Sequence, residues 1–152
     1  MKNQQTIPLR SLAGQWYIHL TNFPMWLKGD RIMPTFNYTI SKKNGIEGLE
    51  DHVQFIKNGR EKSIKGFDTP LNEHNTAFEW RGKGWMKVLK SRWTILYFTE
   101  RWAVIYFDKT LFTPKGYDVI ARNEVLSPLE LDDIYQKLAD LNITEKLSLI
   151  RK

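Results

Sequence analysis

The sequence predicts an all-β protein, an antiparallel sandwich or barrel, followed by one α-helix. Short β-prone runs alternate with turn clusters as far as Arg122, which is typical of such sheets. After Leu126 the apolar residues take the spacing of an amphipathic helix. The 152 residues fit one domain with one core, so we treat residues 1–152 as a single domain.

Eight β-strands are predicted, and each is bounded by residues that favour turns. Their ranges are 14–21, 32–41, 46–56, 62–67, 76–81, 93–99, 102–108 and 117–122. Two of the turns contain Asn-Gly, at Asn44-Gly45 and Asn58-Gly59, and this pair accepts the backbone angles of a tight hairpin. Consecutive strands are therefore expected to pair in antiparallel fashion.

One amphipathic helix of about three to four turns is predicted after Leu126. Ser127 can act as its N-cap, and Pro128 fits its first turn. Its apolar residues form one stripe that requires a surface to pack on: Leu131, Ile134, Leu138 and Leu141. The apolar residues of the tail, among them Leu147 and Leu149, predict a short closing strand.

The composition excludes several kinds of site. There is no cysteine, so no disulfide, thiolate nucleophile or zinc–thiolate site can form. The histidines His19, His52 and His74 have no metal-site spacing, and no nucleophile elbow, phosphate loop or dinucleotide fingerprint occurs. We therefore expect a binding protein that is not an enzyme, with no metal and no cofactor.

The net charge of +6 and the pI of about 9.5 raise the question of an anionic partner. The basic residues are scattered, which predicts a solvated basic surface and no nucleic-acid partner. A basic interaction module for another anionic partner stays open as an alternative, and the oligomeric state is not readable.

The first ten residues lack the apolar core of a signal peptide, and no run approaches the roughly 18 apolar residues of a membrane helix. As written the chain is expected to be soluble, and its compartment stays open, with the cell envelope an option if a signal sequence was removed.

Three motifs resemble those of the lipocalin family. The segment Gly14-Gln15-Trp16 resembles the Gly-x-Trp motif of the family's first strand. Residues 117–127, in which Arg122 closes the strand before a serine leads into the helix, resemble the last-strand motif of bacterial outer-membrane-type lipocalins. Residues 98–102 are a looser match, in which Thr99 occupies the first position of a Thr-Asp-Tyr motif and glutamate replaces the aspartate.

The resemblance implies an eight-stranded antiparallel up-and-down β-barrel, a calyx, with the C-terminal α-helix packed on its flank. It also implies the binding and transport or storage of a small hydrophobic ligand, of lipid or fatty-acid type, in the barrel interior. Gly14, Trp16, Thr99 and Arg122 are then structural residues. Trp16 is expected to lie across the closed end, with the guanidinium of Arg122 stacked on its indole in a cation–π contact worth about 0.5–2 kcal/mol.

Strand alternation predicts which side chains line the interior. The predicted inner residues are Ile18, Leu20, Phe36, Tyr38, Ile40, Phe78, Trp80, Thr94, Leu96, Phe98, Ala103, Ile105 and Phe107. Those expected to contact the ligand are Ile18, Leu20, Phe36, Tyr38, Phe78, Trp80, Leu96, Phe98 and Ile105. From Trp93 to Phe107 both faces are apolar, so the family motif sets the phase there and places Ile95, Tyr97 and Val104 beneath the helix. Small residues among the rings lead us to expect an open interior.

Three polar residues are also predicted on the inner face. Counting back from Ile120 places Asp118 there, and counting from Ile46 places Glu50 and His52 there. Buried carboxylates are costly unless they are paired, so these acids either lie at a wet rim or orient the head of a ligand. A haem- or tetrapyrrole-binding barrel is an alternative in which His52 would be the candidate ligand.

The loop after the first strand is unusually apolar. Residues 23–27 include Phe23, Trp26 and Leu27, and we expect this loop to fold over the barrel mouth as a lid in which Trp26 contacts the ligand. Packing on the barrel wall without ligand contact is the alternative. Exposed apolar residues from Phe23 to Leu27 would offer a contact with a membrane surface.

Overall fold

The computed structural model describes residues 5–111 and 113–150. The elements of these residues follow one another in an order dominated by strands. In chain order they are α1 (Leu9–Leu12), β1 (Gly14–Thr21), α2 (Pro24–Leu27), β2 (Arg31–Lys43), β3 (Ile46–Lys57), β4 (Arg60–Pro70), β5 (Ala77–Gly82), a 3₁₀-helix (Gly84–Val88), β6 (Lys90–Phe98), β7 (Trp102–Phe107), β8 (Gly116–Ala121), α3 (Pro128–Asp140) and β9 (Ser148–Leu149).

The strands form one closed antiparallel barrel. Consecutive strands pair from β2 to β8, and β1 pairs with both β2 and β8, which closes the eight-stranded ring. The short strand β9 pairs with β1. The eight predicted strands and the closing strand are therefore confirmed, and β2 and β4 extend beyond their predicted ends.

The connections alternate between the two ends of the barrel. The loops β1–β2, β3–β4, β5–β6 and β7–β8 lie at the end that we call the open end, and the other turns lie with Trp16 at the closed end. The turn Asn44-Gly45 has φ values of 53° and 78°, the left-handed values that a two-residue hairpin turn requires. This turn sets the register of β2 on β3, beginning with the pair Lys43 and Ile46.

Helix α3 packs on the flank of the barrel as predicted. The Glu130 backbone N–H donates to the Ser127 hydroxyl at 3.1 Å, and the Ser127 backbone N–H donates to the Glu130 carboxylate at 3.4 Å, which makes a capping box. Ile134 and Leu138 are buried in a cluster with Val104 of β7. Among the described residues, no helix is long and apolar enough to cross a membrane.

The apolar core consists of two layers separated by the barrel wall. The inner layer lies inside the barrel, and its strand residues include Trp16, Ile18, Phe36, Tyr38, Leu49, Phe55, Phe78, Trp93, Ile95, Phe98, Ala103, Ile105 and Ile120. The outer layer lies between the barrel and α3, and it includes Leu20, Trp102, Val104, Val119, Ala121, Ile134 and Leu138. In a strand that contributes to both layers, successive side chains must point alternately into the interior and into the outer layer.

A β-bulge in β1 exchanges its two faces. The register of β1 on β8 shifts between Ile18 and Leu20. Ile18 therefore faces the interior, whereas Leu20 packs in the outer layer with Val119 and Ile134. The predicted inner position of Leu20 is wrong, because alternation was counted through the bulge.

A second β-bulge exchanges the two faces of β6. The register of β6 on β7 shifts between Ile95 and Tyr97, so Phe98 and Ile95 both face the interior. The predicted inner positions of Thr94 and Leu96 and the predicted outer position of Ile95 are wrong, because counting back from Phe98 omitted the extra residue. Leu96 is exposed.

Candidate ligand-binding site

The closed end of the barrel is sealed by Trp16 and Arg122. Trp16 is fully buried, and its Nε1 donates to the Leu12 carbonyl at 2.8 Å. The Arg122 guanidinium carbon lies 3.6 Å from the centroid of the Trp16 ring, and its two terminal nitrogens donate to the carbonyls of Ser11 (2.8 Å) and Gln15 (3.1 Å). These contacts close this end of the barrel with described side chains and backbone.

Gly14 and Thr99 support the same end. Gly14 has a φ of 101°, and a Cβ added there would lie 3.0 Å from Arg122 Nη1, so a larger residue would be strained and crowded. The Thr99 hydroxyl oxygen accepts the backbone N–H groups of Arg101 (3.2 Å) and Trp102 (2.9 Å). Both residues therefore shape the backbone of the closed end.

A stack of aromatic rings crosses the middle of the barrel. Phe36 and Tyr38 are stacked at 5.9 Å between centroids, Tyr38 and Trp93 at 6.0 Å, and Phe78 and Trp93 at 4.5 Å. Below this stack the interior is packed by Ile18, Phe98, Ile105 and their neighbours. The closed half of the barrel is thus filled by side chains.

Above the stack, the open half contains a cavity of about 640 Å³. Its walls come from the inner faces of the strands, and its rim comes from the 3₁₀-helix and the β7–β8 loop. Its lining includes Phe36, Tyr38, Asp51, Val53, Ile64, Trp80, Met86, Val88, Lys90, Ser91, Trp93, Phe107, Lys109 and Leu111. A smaller cavity of about 170 Å³ adjoins it beside Trp26 and Asp118 and shares Phe36, Val53, Ser91 and Phe107 with it.

A pair of carboxyl groups belongs to the inner wall. Asp51 and Asp68 are buried and their side chains contact each other. Burial raises the pKa of Asp51 to about 6, and burial together with the charge of Asp51 raises the pKa of Asp68 well above its usual range. Trp93 Nε1 donates to Asp68 Oδ1 at 3.0 Å. Asp68 lies deeper, and Asp51 lines the larger cavity.

A third buried acid, Asp118, lies on the opposite side of the interior. It lines the smaller cavity, and the Thr21 hydroxyl donates to its Oδ1 at 2.7 Å. Burial raises the pKa of Asp118 to about 7. The interior therefore combines apolar walls with three acids that hold protons at mildly acidic pH.

The structure distributes the predicted ligand contacts over both halves of the barrel. Phe36, Tyr38 and Trp80 line the larger cavity, and Trp26, Phe36 and Asp118 line the smaller one. The predicted inner residues packed around and below the stack are Ile18, Phe78, Phe98, Ala103 and Ile105. Ile40 is exposed near the closed end. The role of these residues in ligand binding stays a prediction.

The predicted inner positions of Glu50 and His52 are wrong. The hairpin register pairs Tyr38 with Asp51, so Asp51 shares the inner face with Tyr38 and its neighbours Glu50 and His52 face outward. Glu50 forms an ion pair with Lys83 on the outside. The proposed haem ligand His52 therefore lacks access to the interior.

The acids that sequence counting missed are Asp51 and Asp68. The turn Asn44-Gly45 sets the register of β2 on β3 so that the residue numbers of each pair near the turn add up to 89. The inner residue Tyr38 therefore pairs with Asp51. The signal was present in the sequence, because the turn type fixes the hairpin register. Counting from Ile46 gave the wrong face, since Ile46 is 53% exposed and lies outside.

The apolar loop after β1 is folded into the barrel mouth. Phe23 and Trp26 are buried, and Trp26 lies in the one-turn helix α2. Its ring packs edge-on against that of Phe55, with 5.6 Å between the ring centroids. Leu27 is 41% exposed. The two largest rings of this loop are thus covered by the barrel, and a membrane contact through Phe23–Leu27 stays a prediction.

The buried acids predict that stability falls as pH rises. The folded-state pKa of Asp118, about 7, exceeds its ordinary value of 3.8, so the unfolded state loses this proton first and the fold is destabilised between about pH 4 and pH 7. The loss is of the order of 4 kcal/mol for this group. In urea titrations at several pH values, Asp118→Asn is expected to flatten this dependence and the exposed control Asp133→Asn to keep it. An equally steep loss in Asp118→Asn would contradict the assignment.

No protein-family model matches the sequence, and no curated protein sequence matches it. Solved structures do match. Insecticyanin from the tobacco hornworm Manduca sexta has a TM-score of 0.73 at 13% identity, over 97% of this chain and 82% of its own. Lobster apocrustacyanin A1 has a TM-score of 0.67 at 16% identity, over 94% of this chain and 78% of its own. The siderocalin Ex-FABP has a TM-score of 0.67 at 15% identity, over 93% of this chain and 95% of its own.

These similar structures are lipocalins, and the chain therefore has the lipocalin fold. At such low identities the likeness concerns the fold alone. The narrower resemblance to bacterial outer-membrane-type lipocalins stays a prediction.

Proposed function

We propose that this barrel binds a small hydrophobic ligand at its open end, for transport or storage. The observation that carries the proposal is the cavity of about 640 Å³ above a sealed and packed floor. Aromatic and aliphatic side chains form most of its wall, which is the composition of small-molecule sites. The siderocalin Ex-FABP, which shares the fold, functions through dual ligand specificities.

Within that class we put a lipid-like molecule first, as the resemblance of residues 117–127 to bacterial outer-membrane-type lipocalins suggests. A fatty acid would have to bind with its carboxylate at the rim, where Lys90 and Lys109 line the cavity. The deeper wall carries Asp51, which would repel a carboxylate once ionised. We propose binding without catalysis, since the sequence has no recognised catalytic motif.

Native mass spectrometry combined with organic extraction tests the proposal. The purified protein is expected to carry a small apolar molecule, or after extraction to bind one apolar fluorescent dye per chain with saturation. Identification of the extracted molecule would give the ligand class directly. A protein that carries nothing and binds no dye saturably would refute the proposed function.

A further inference from the structure

The wall of the larger cavity contains a buried acid that is paired with a second acid. Asp51 is 4% exposed and lines the cavity, and apart from the carboxyl of Asp68 no described group donates to its Oδ1. Its contact is with another acid, Asp68, so the pair must hold a proton to avoid repulsion. A buried carboxyl in this position is costly unless a cation or a donor completes it. A cation that balances the charge of the pair can come from a ligand, because Asp51 also lines the cavity.

Aromatic side chains surround this acid. Tyr38 is the cross-strand neighbour of Asp51 and stacks on Trp93, and Trp80 lines the same cavity. The faces of such rings attract ammonium groups, most strongly when the site is shielded from water. A carboxyl beside aromatic faces is chemically matched to an organic ammonium.

A metal ion fits this wall less well. Within residues 5–111 and 113–150, no group of three or more acidic or histidine side chains is placed to hold a metal. Asp118 lines the adjoining cavity and accepts a hydrogen bond from the Thr21 hydroxyl. The described residues that line the cavity are mostly apolar or aromatic, whereas hard cations require several oxygen ligands. The geometry favours an organic cation.

We propose that the cavity selects a small hydrophobic amine, whose ammonium group binds Asp51 beside the aromatic wall while its apolar part fills the rest of the cavity. The inference rests on the proposed function and names the head group of its ligand. The ammonium pairs with the Asp51 carboxylate and neutralises the charge of the acid pair. The other charged groups lining the cavity, Lys90 and Lys109, are exposed at the rim, where solvent screens their repulsion of the amine.

Binding of the amine is coupled to proton release. At low pH both acids are protonated, and the ammonium replaces the proton of Asp51 while Asp68 keeps its own. An alkyl amine stays charged up to a pKa near that of lysine, about 10.4. Tyr38 shares the wall, but its pKa is raised well above 10.0 by burial and by the nearby acids, so it stays neutral in this range. Amine affinity is therefore expected to rise from pH 5.5 to pH 7.5.

Calorimetric titration with three ligands of one chain length tests the head group. Decylamine, 1-decanol and decanoate are compared at pH 7.5 and pH 5.5, below the concentrations at which they aggregate. Decylamine is expected to bind at least tenfold more tightly than decanol at pH 7.5. Its affinity is expected to be at least threefold lower at pH 5.5 than at pH 7.5. Decanol or decanoate binding as tightly as the amine would overturn the inference and leave the proposed function standing. Failure of all three to bind would overturn both.

Two neighbouring variants separate the inner wall from the outer surface. Asp51→Asn is expected to reduce the ratio of decylamine affinity to decanol affinity at least tenfold, because it removes the charge and keeps the shape. Glu50→Gln, one residue away on the outer face, is expected to retain the wild-type ratio. Thermal melts establish that both variants are folded. A wild-type ratio in folded Asp51→Asn would overturn the inference.

Discussion

Trp16→Ala is expected to lower the free energy of unfolding by about 3–5 kcal/mol, the usual cost of emptying a buried aromatic site. The ring is 0% exposed, meets Phe98 edge-on at 6.2 Å and carries the Arg122 guanidinium on its face. Its loss also removes the hydrogen bond from Nε1 to the Leu12 carbonyl. Urea denaturation followed by far-UV circular dichroism measures the change.

The matched control is Trp85→Ala. Trp85 is 84% exposed in the 3₁₀-helix, so its removal is expected to change the midpoint little. Arg122→Ala is expected to destabilise the protein less than Trp16→Ala, since the buried ring remains. If Trp16→Ala unfolds at the wild-type midpoint, the sealing role of the closed end is disproved.

Ser91→Phe is expected to reduce the affinity for an apolar dye at least tenfold while the barrel remains folded. Ser91 lies on the inner face opposite Trp80 and lines both cavities, so a phenyl ring there enters empty space and not packed core. Dye titration and a thermal melt on the same sample measure both effects.

Ser63→Phe is the matched control for this substitution. Ser63 is exposed on β4, so the same added ring lies outside the barrel and is expected to leave dye affinity unchanged. Retained affinity in Ser91→Phe, or affinity lost only together with the melting transition, would contradict the assignment of the cavity to ligand binding.

The elements of this fold were predictable because their signals are local. The Asn-Gly turns, the Ser127 cap and the alternation within short runs each act over a few residues, and the structure contains the strands and the helix they predict. The facing of side chains was less predictable, since it depends on bulges. The extra residues near His19 and Leu96 carry no distinctive local pattern, and both faces of β6 and β7 are apolar because one of them packs against the outer layer.

The candidate site was predictable in part. Alternation placed Tyr38, Trp80 and Asp118 on the inner face, where the structure has them. It missed Asp51 and Asp68, although hairpin registers starting from the turns would have found both. The cavity itself depends on how far the rings and loops fill the barrel, and no sequence pattern encodes that volume.

The ring stack across the middle of the barrel has a consequence for how this protein can diversify. Phe36, Tyr38, Trp93 and Phe78 divide residues that hold the fold from residues that face the open end. Substitutions above that boundary, such as at Ser91 or Val53, can change ligand preference at little cost in folding, whereas those below it change stability first. The same scaffold can therefore acquire new specificities, by evolution or by engineering, through its open half alone.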